Sequence, residues 1–300
     1  MSNALECNGV VKQYRDFQLG PLDFSLQKGR VLGYIGPNGA GKTTTMHCIS
    51  GLVRPDRGEI SIFGKSVDPN KPAWKHDIGY VGDQQVFYEE WTAAQNLGYI
   101  KQFYPAWSDD AAGDLARRFD LPLDKKARDL SGGNRVKLSL IRALSYSPRL
   151  LVFDEPTAGL DPVVRTDLLT ELFRILEDGE KSIIYSTHIL SDIEGLADEI
   201  AFLVDGALVR REIKEDMIQT HFRVIFTLDA PLPLLPACLT VITKDDAYEA
   251  DPSDKKKTIS ILKETGAANI HTARMKAEEI AVAILRHHRE KSTTREIKPQ

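Results

Sequence analysis

Gly36-Pro37-Asn38-Gly39-Ala40-Gly41-Lys42-Thr43 fits the pattern G-x-x-x-x-G-K-[ST] in full. Glycines at these intervals let a backbone curl until successive N–H groups point inward at an anion. The sequence from Gly41 to Ser50 reads as a helix, whose N-terminal dipole adds positive potential at the same place. Lys42 supplies a point charge for β- and γ-phosphates, and Thr43, followed by Thr44, offers a hydroxyl to Mg²⁺. A second candidate is Leu150-Leu151-Val152-Phe153-Asp154-Glu155, an apolar strand ending in two carboxylates. Asp154 at the carboxyl edge of a sheet suits the shell of a Mg²⁺ ion, while Glu155 suits orienting or deprotonating a water. Read alone, Asp154-Glu155 is equally a solvated acidic loop. Beside a phosphate loop, the functional reading prevails.

Strands and helices must hold these groups in place. Residues 5–35 read as strands, with Leu22, Phe24 and Leu26 alternating and Val31 to Ile35 continuously apolar. Gly58 to Phe63, Ile78 to Val81, Leu150 to Phe153, Ser182 to Tyr185, 199–204 and 207–211 read as further strands. Between about 92 and 147 the period is helical: Leu97, Ile100 and Phe103 fall on one face, and Leu138, Ile141 and Leu144 on another. Helices are also expected over 162–178 and 189–196. The pattern is α/β, with a mixed sheet forming a phosphate-loop NTPase core, a helical subdomain set into it, and a small α+β C-terminal appendage. The expected boundary lies near 212–222, dividing a nucleotide-binding domain (1–215) from an extension (216–300). In the extension Pro231, Pro233 and Pro236 break the pattern, 237–275 is weakly periodic, and Ala277 to Leu285 reads as a helix. A basic tail carries Arg286, Arg289, Lys291, Arg295 and Lys298, and such a run is ordinarily a solvated face.

The bulk composition narrows the function. A net charge of −4 argues against a broad basic face for nucleic acid. Cys7, Cys48 and Cys238 share no metal-like spacing, and reduced thiols in a cytosolic setting explain them best. Met1 to Glu6 lacks the charged-then-apolar pattern of a signal peptide, and no stretch approaches the roughly 18 apolar residues of a membrane span.

Leu130-Ser131-Gly132-Gly133-Asn134 lies between the two phosphate motifs and resembles the signature of ABC (ATP-binding cassette) ATPases. Ala158-Gly159-Leu160-Asp161 looks like the family's D-loop, and Ser186-Thr187-His188 like its switch histidine. On its own His188 reads equally as a satisfied histidine at a strand end. Tyr14 stands where the family has an aromatic that stacks on adenine. The match covers residues 5–215, about seven tenths of the chain, and is most like bacterial export-type transporter ATPases. The resemblance implies two such domains closing head to tail around ATP and Mg²⁺. Ser131, Gly132 and Gly133 of one chain would then face the γ-phosphate held by the other, with Asp161 coupling the sites. It also implies a separate transmembrane permease, a second ATPase copy (the same chain or a relative), and a place on the cytoplasmic face of the membrane. No nucleic-acid partner is expected. A soluble ABC protein acting on ribosome or DNA is the alternative, which a single uninterrupted cassette disfavours.

Two positions depart from the family. Its Q-loop glutamine is replaced in register by Asp83, with Gln84 one residue later, so either a carboxylate or a shifted amide meets the metal. Asn134 replaces the commoner Gln in the signature. Phe17 competes with Tyr14 as the adenine platform. Aromatics gather at Phe87, Tyr88, Trp91, Phe103, Tyr104 and Trp107, either as a groove for a membrane partner or as ordinary subdomain packing.

Overall fold

The apolar runs form the centre of the molecule, buried on both faces as parallel strands require. The computed structural model describes residues 2–68, 70, 72–176, 179–229, 235, 238–244, 247–252 and 255–296. Strands β1 (Asn3–Gln13) and β2 (Gln18–Gln27) pair antiparallel, and β3 (Val31–Ile35) is buried throughout before the phosphate loop opens α1 (Lys42–Ile49). Strands β4 (Arg57–Ile62) and β5 (Lys65–Ser66) complete a four-stranded antiparallel sheet in the order β2-β1-β4-β5. After β6 (Ile78–Val81) come the helices α2 (Ala93–Ile100), α3 (Asp109–Arg118) and α4 (Gly132–Leu144). The core resumes with β7 (Leu150–Asp154), α5 (Pro162–Leu176), β8 (Ser182–Thr187), β9 (Glu199–Val204) and β10 (Ala207–Ile213).

The second sheet runs β10-β9-β3-β8-β7-β6, parallel except for β10 at the edge. Its register aligns Ile35 with Thr187 and Asp154 with Ser186, so the loops that follow β3, β7 and β8 leave the sheet side by side. This is an α/β phosphate-loop NTPase core carrying a helical subdomain. Local chemistry starts each subdomain helix. Thr92 and Gln95 close a reciprocal capping box on α2, and Ser108 and Ser131 cap α3 and α4.

Beyond β10, α6 (Lys214–Thr220) leads to β11 (Phe222–Thr227), β12 (Cys238–Lys244), β13 (Ala247–Pro252), α7 (Lys255–Glu264), β14 (Ala268–Arg274) and α8 (Ala277–Glu296). The strands form a third, antiparallel sheet ordered β12-β13-β11-β14. Helix α8 returns to the main core, where Ile280 and Ile284 are buried with Ile193, Ile200 and Met217.

Several expectations are corrected. In place of a helix over 189–196 there is one 3₁₀ turn, Leu190–Asp192, followed by irregular turns. Asp192 spends its side chain on tertiary partners there. Gly195, a poor helix former, packs so close to Phe173 that a Cβ would lie 2.7 Å from the ring. Phe103 does not share the buried face of Leu97: α2 ends at Ile100, a 3₁₀ turn follows, and Phe103 is 56% exposed. The weakly periodic 237–275 holds β12, β13, α7 and β14, and α8 runs on through the basic residues 286–295. Pro231, Pro233, Pro236, Lys298 and the expected helix end at 177–178 lie outside the described residues. Among the described residues, no helix is long and apolar enough to cross a membrane.

Candidate active site

The loop between β3 and α1 owes its shape to two glycines with different reasons. A Cβ at Gly36 would stand 2.4 Å from the Leu203 carbonyl of β9, so the loop can lie against the sheet only without a side chain. Gly41, at φ 104°, adopts a left-handed conformation as the N-cap of α1, costly for any residue with a Cβ. Pro37, Asn38 and Gly39 are exposed at the crest, while Ala40 is buried and Thr44 half-buried. Lys42 is 4% exposed, and its Nζ donates to the carbonyls of Gly36 at 2.8 Å and Pro37 at 3.1 Å.

Lys42 also pairs with Glu155 Oε1 at 2.9 Å, and Glu155 Oε2 lies 2.7 Å from Nδ1 of His188. The carboxylate therefore bridges Lys42 of the loop and His188 at the end of β8. Burial pushes the Glu155 carboxyl up, but the hydrogen bond and charge of Lys42, then those of His188, outweigh this and hold it below its usual range. Its backbone is left-handed at φ 48° and is held by an N–H that donates to the Ser186 carbonyl at 3.1 Å. For a glutamate this is a strained conformation, of the kind found where a side chain must be aimed.

Asp154 is fully buried. Its Oδ1 accepts from Ser186 Oγ at 2.6 Å, whereas Oδ2 is buried with no hydrogen-bond partner. Burial raises its carboxyl above the ordinary range, opposed by the Ser186 and Thr43 hydroxyls. An orphaned carboxylate oxygen of this kind needs a partner. Thr43, Asp83, Gln84 and Asp154 line one cleft of about 450 Å³. The side-chain oxygens of Thr43, Asp83, Gln84 and Asp154 are hard donors of the kind Mg²⁺ takes, and His47 and Arg142 line the same cleft. Among the described residues no three His, Cys, Asp or Glu side chains converge to form a cage.

Other sequence candidates lie elsewhere. Tyr14 is 43% exposed beside Lys12, whereas the Phe17 ring lies against Gly41: a Cβ there would be 2.9 Å from it. Ser131, Gly132 and Gly133 sit at the start of α4, with Ser131 Oγ accepting from the Asn134 N–H at 3.3 Å; none of the three lines the Asp154 cleft. Asp161 caps α5 by accepting from the N–H groups of Val163 and Val164 at 3.0 and 3.1 Å. Asp83 and Gln84 are both exposed, and both line the cleft with Thr43 and Asp154.

Sequence reading missed three supporting residues. Ser186 holds Asp154. Buried Asp192 accepts from Thr157 Oγ1 at 2.5 Å and pairs with Arg165, tying the segment after His188 to that after Glu155 and to α5. Asp192 and Arg165, on opposite sides of β8 in the sequence, carry no local signature. Ser186 was within the quoted histidine motif, but its role depends on strand register.

The sequence and the fold are similar to those of known proteins. Residues 19–158 match the family described as ABC transporter. The ABC transporter ATP-binding protein YtrB of Bacillus subtilis is 30% identical over 234 residues, 78% of this chain and 77% of that protein. This chain belongs to the ABC transporter ATP-binding proteins. The daunorubicin resistance ATP-binding protein DrrA3 of Streptomyces coeruleorubidus is 32% identical over 294 residues, 93% of this chain and 92% of that one. A solved ATP-binding subunit of an ABC transporter superposes with a TM-score of 0.65 at 30% identity, over 72% of this chain and 92% of that chain. As a member of this family the chain is an ATP-binding, ATP-hydrolysing subunit, and such subunits work with transmembrane permease partners.

Proposed function

We propose that this ABC ATPase energises export through a separate membrane-spanning chain, and that its residues divide the chemistry as follows. The phosphate loop, residues 36–43 with Thr44 behind it, wraps the triphosphate, and Phe17 or Tyr14 supports the adenine. Thr43 and Asp154, with Asp83 or Gln84, would hold Mg²⁺, which when bound would offset phosphate charge. Glu155 orients and deprotonates the attacking water, and His188 senses the γ-phosphate. The observation that carries this assignment is the Lys42–Glu155–His188 chain, with contacts of 2.9 and 2.7 Å, beside a buried Asp154. A phosphate competes for Lys42 and thereby frees Glu155 to act as a base.

Ser131, Gly132 and Gly133 stand apart from the chain's own cleft, which supports a head-to-tail pair in which a second cassette brings its signature to the phosphates. Backbone N–H groups at the start of α4 are suited to that role. Exposed Tyr88, Trp91 and Phe103 join Tyr99 in an aromatic cluster with centroids 4.4 to 5.6 Å apart, a surface fit for a segment of the membrane partner. Relatives named for daunorubicin resistance and Nod factor export support the outward direction. On this reading the chain works at the cytoplasmic face of the membrane. Residues 216–300 form an extension whose α8 braces the turns after His188.

Glu155→Gln tests the assignment. The variant should bind ATP while turnover falls by about 100-fold or more; normal turnover would remove Glu155 from the mechanism.

A further inference from the structure

A buried run of hydrogen bonds lies behind Glu155, and its direction is fixed by what each group can donate. Thr157 Oγ1 gives its single proton to Asp192 Oδ2, a carboxylate that only accepts, so the Tyr185 hydroxyl, 3.2 Å from Oγ1, donates to Thr157 in turn. Burial pushes the Tyr185 phenol up and keeps its proton in place. The other oxygen of Asp192 pairs with Arg165 of α5, whose guanidinium also donates to Ser191 Oγ at 3.1 Å. Thr157, Tyr185 and Asp192 are all buried, where a satisfied polar network is strong and a missing member costly.

One carboxylate thus fastens both ends of a loop. Thr157 stands directly before Ala158-Gly159-Leu160-Asp161, and Arg165 lies in the first turn of the helix that Asp161 caps. Inside the loop, Ala158 N–H donates to the Glu155 carbonyl at 3.1 Å and Leu160 N–H to the Thr157 carbonyl at 3.2 Å. The turn that carries Asp192 follows His188, whose ring meets Glu155 at 2.7 Å. Glu155 itself sits in a left-handed conformation, φ 48°, that persists only where its surroundings over-determine it. Asp192 is the one side chain in contact with the segments on both sides of that strain. Its own turn is packed under α8, with Leu190 and Ile193 in the same buried cluster as Ile280 and Ile284.

We propose that Asp192 is a positioning residue for hydrolysis: by holding Thr157 and Arg165 to the turn after His188, it makes the loop 158–161 and the carboxylate of Glu155 move as one unit. This rests on the reading of Glu155 as the base and of two cassettes as the working pair. On that reading the loop faces the second cassette, so closure of the pair would reach Glu155 through Asp192. The residue touches no nucleotide, and its effect falls on the aim of the base, not on the grip of the phosphates.

The test uses the full chain with the companion chains its active pair requires. Asp192→Asn, shown folded by circular dichroism, should lower kcat by about 10-fold or more while KM for ATP stays within about twofold of wild type. Because binding and pairing are intact, its ATP-loaded pair should outlast that of wild type in sedimentation velocity with ATP and Mg²⁺. Thr157→Val, which deletes one hydroxyl and keeps the volume, should give the same split with a fall of about threefold. Combined with Asp192→Asn it should cost less than the two falls multiplied. In the Glu155→Gln background, Asp192→Asn should bring no further fall, since it acts through that carboxylate. Wild-type kcat in Thr157→Val, or in folded Asp192→Asn, overturns the proposal. So does a raised KM with loss of the pair, the mark of a merely structural fault, and so does a full further fall in the Glu155→Gln background. Should Asp192→Asn not fold, Thr157→Val decides alone. Normal turnover in Glu155→Gln would remove the base assignment first, and Asp192 would lose the group it aims.

Discussion

At the scale of single residues, the site holds charge in two opposite ways. Glu155 is kept ionised by Lys42 and His188, while Asp154 is pushed toward its neutral form by burial and left with one oxygen unmet. On the proposed assignment Asp154 sacrifices stability for the cation it would hold. Asp154→Asn should keep or raise resistance to thermal unfolding, by about 1 kcal/mol, since it removes a buried uncompensated charge. The same variant should lose Mg²⁺-dependent hydrolysis. Calorimetry and a Mg²⁺ titration of phosphate release check both halves; destabilisation by several kcal/mol would show that Oδ2 is already satisfied.

At the scale of elements, pairings between segments hold the sheet edges together. Asp77, just before β6, accepts from Lys65 of β5 at 2.7 Å and from Arg149, just before β7, at 2.9 Å. Burial raises its carboxyl, but these two cations outweigh burial and hold it below the ordinary range. A depressed folded value gives stability that is present above the unfolded carboxyl value near 3.8 and lost as pH falls through the folded one. Because both cations are half exposed, Asp77→Asn should cost only about 1 kcal/mol at pH 7, a difference from wild type that shrinks toward pH 3 in urea titrations. A constant difference across that range would contradict the pairing. Helix α8 acts through burial instead: Ile284→Ala should cost about 3 kcal/mol by the same measurement. A loss below about 1 kcal/mol would show that α8 is not docked on the core.

The two sets of elements also differ in how far the sequence announces them. The loop before α1, the strand ending in Asp154 and the start of α4 at Ser131 were legible because each is a short run whose conformation depends on local backbone. The central strands were legible because burial on both faces leaves unbroken apolar runs at Val31–Ile35 and Leu150–Phe153. What depends on distant partners was not. The turn at Leu190–Asp192 replaces an expected helix because Asp192 answers to Thr157 and Arg165. The C-terminal appendage was expected as α+β, but its strands could not be placed: β14, for one, has nearly all its residues exposed and so alternates weakly. Likewise, the bridge from Lys42 to Glu155 spans more than a hundred positions and exists only through strand register.

For the molecule as a whole, the consequence is a half-built machine. On the proposed assignment, one chain would supply the phosphate loop, metal ligands and base on one surface and a signature on another, with its exposed aromatic cluster left for a second kind of partner. The direct test is the mass in solution of Glu155→Gln by sedimentation velocity. With ATP and Mg²⁺, it should form a species of twice the chain mass, alone or with a companion ATPase, which dissociates when ADP replaces ATP. A protein that saturates with ATP and Mg²⁺ yet stays a single cassette under all these conditions, membrane partner included, would contradict the shared site.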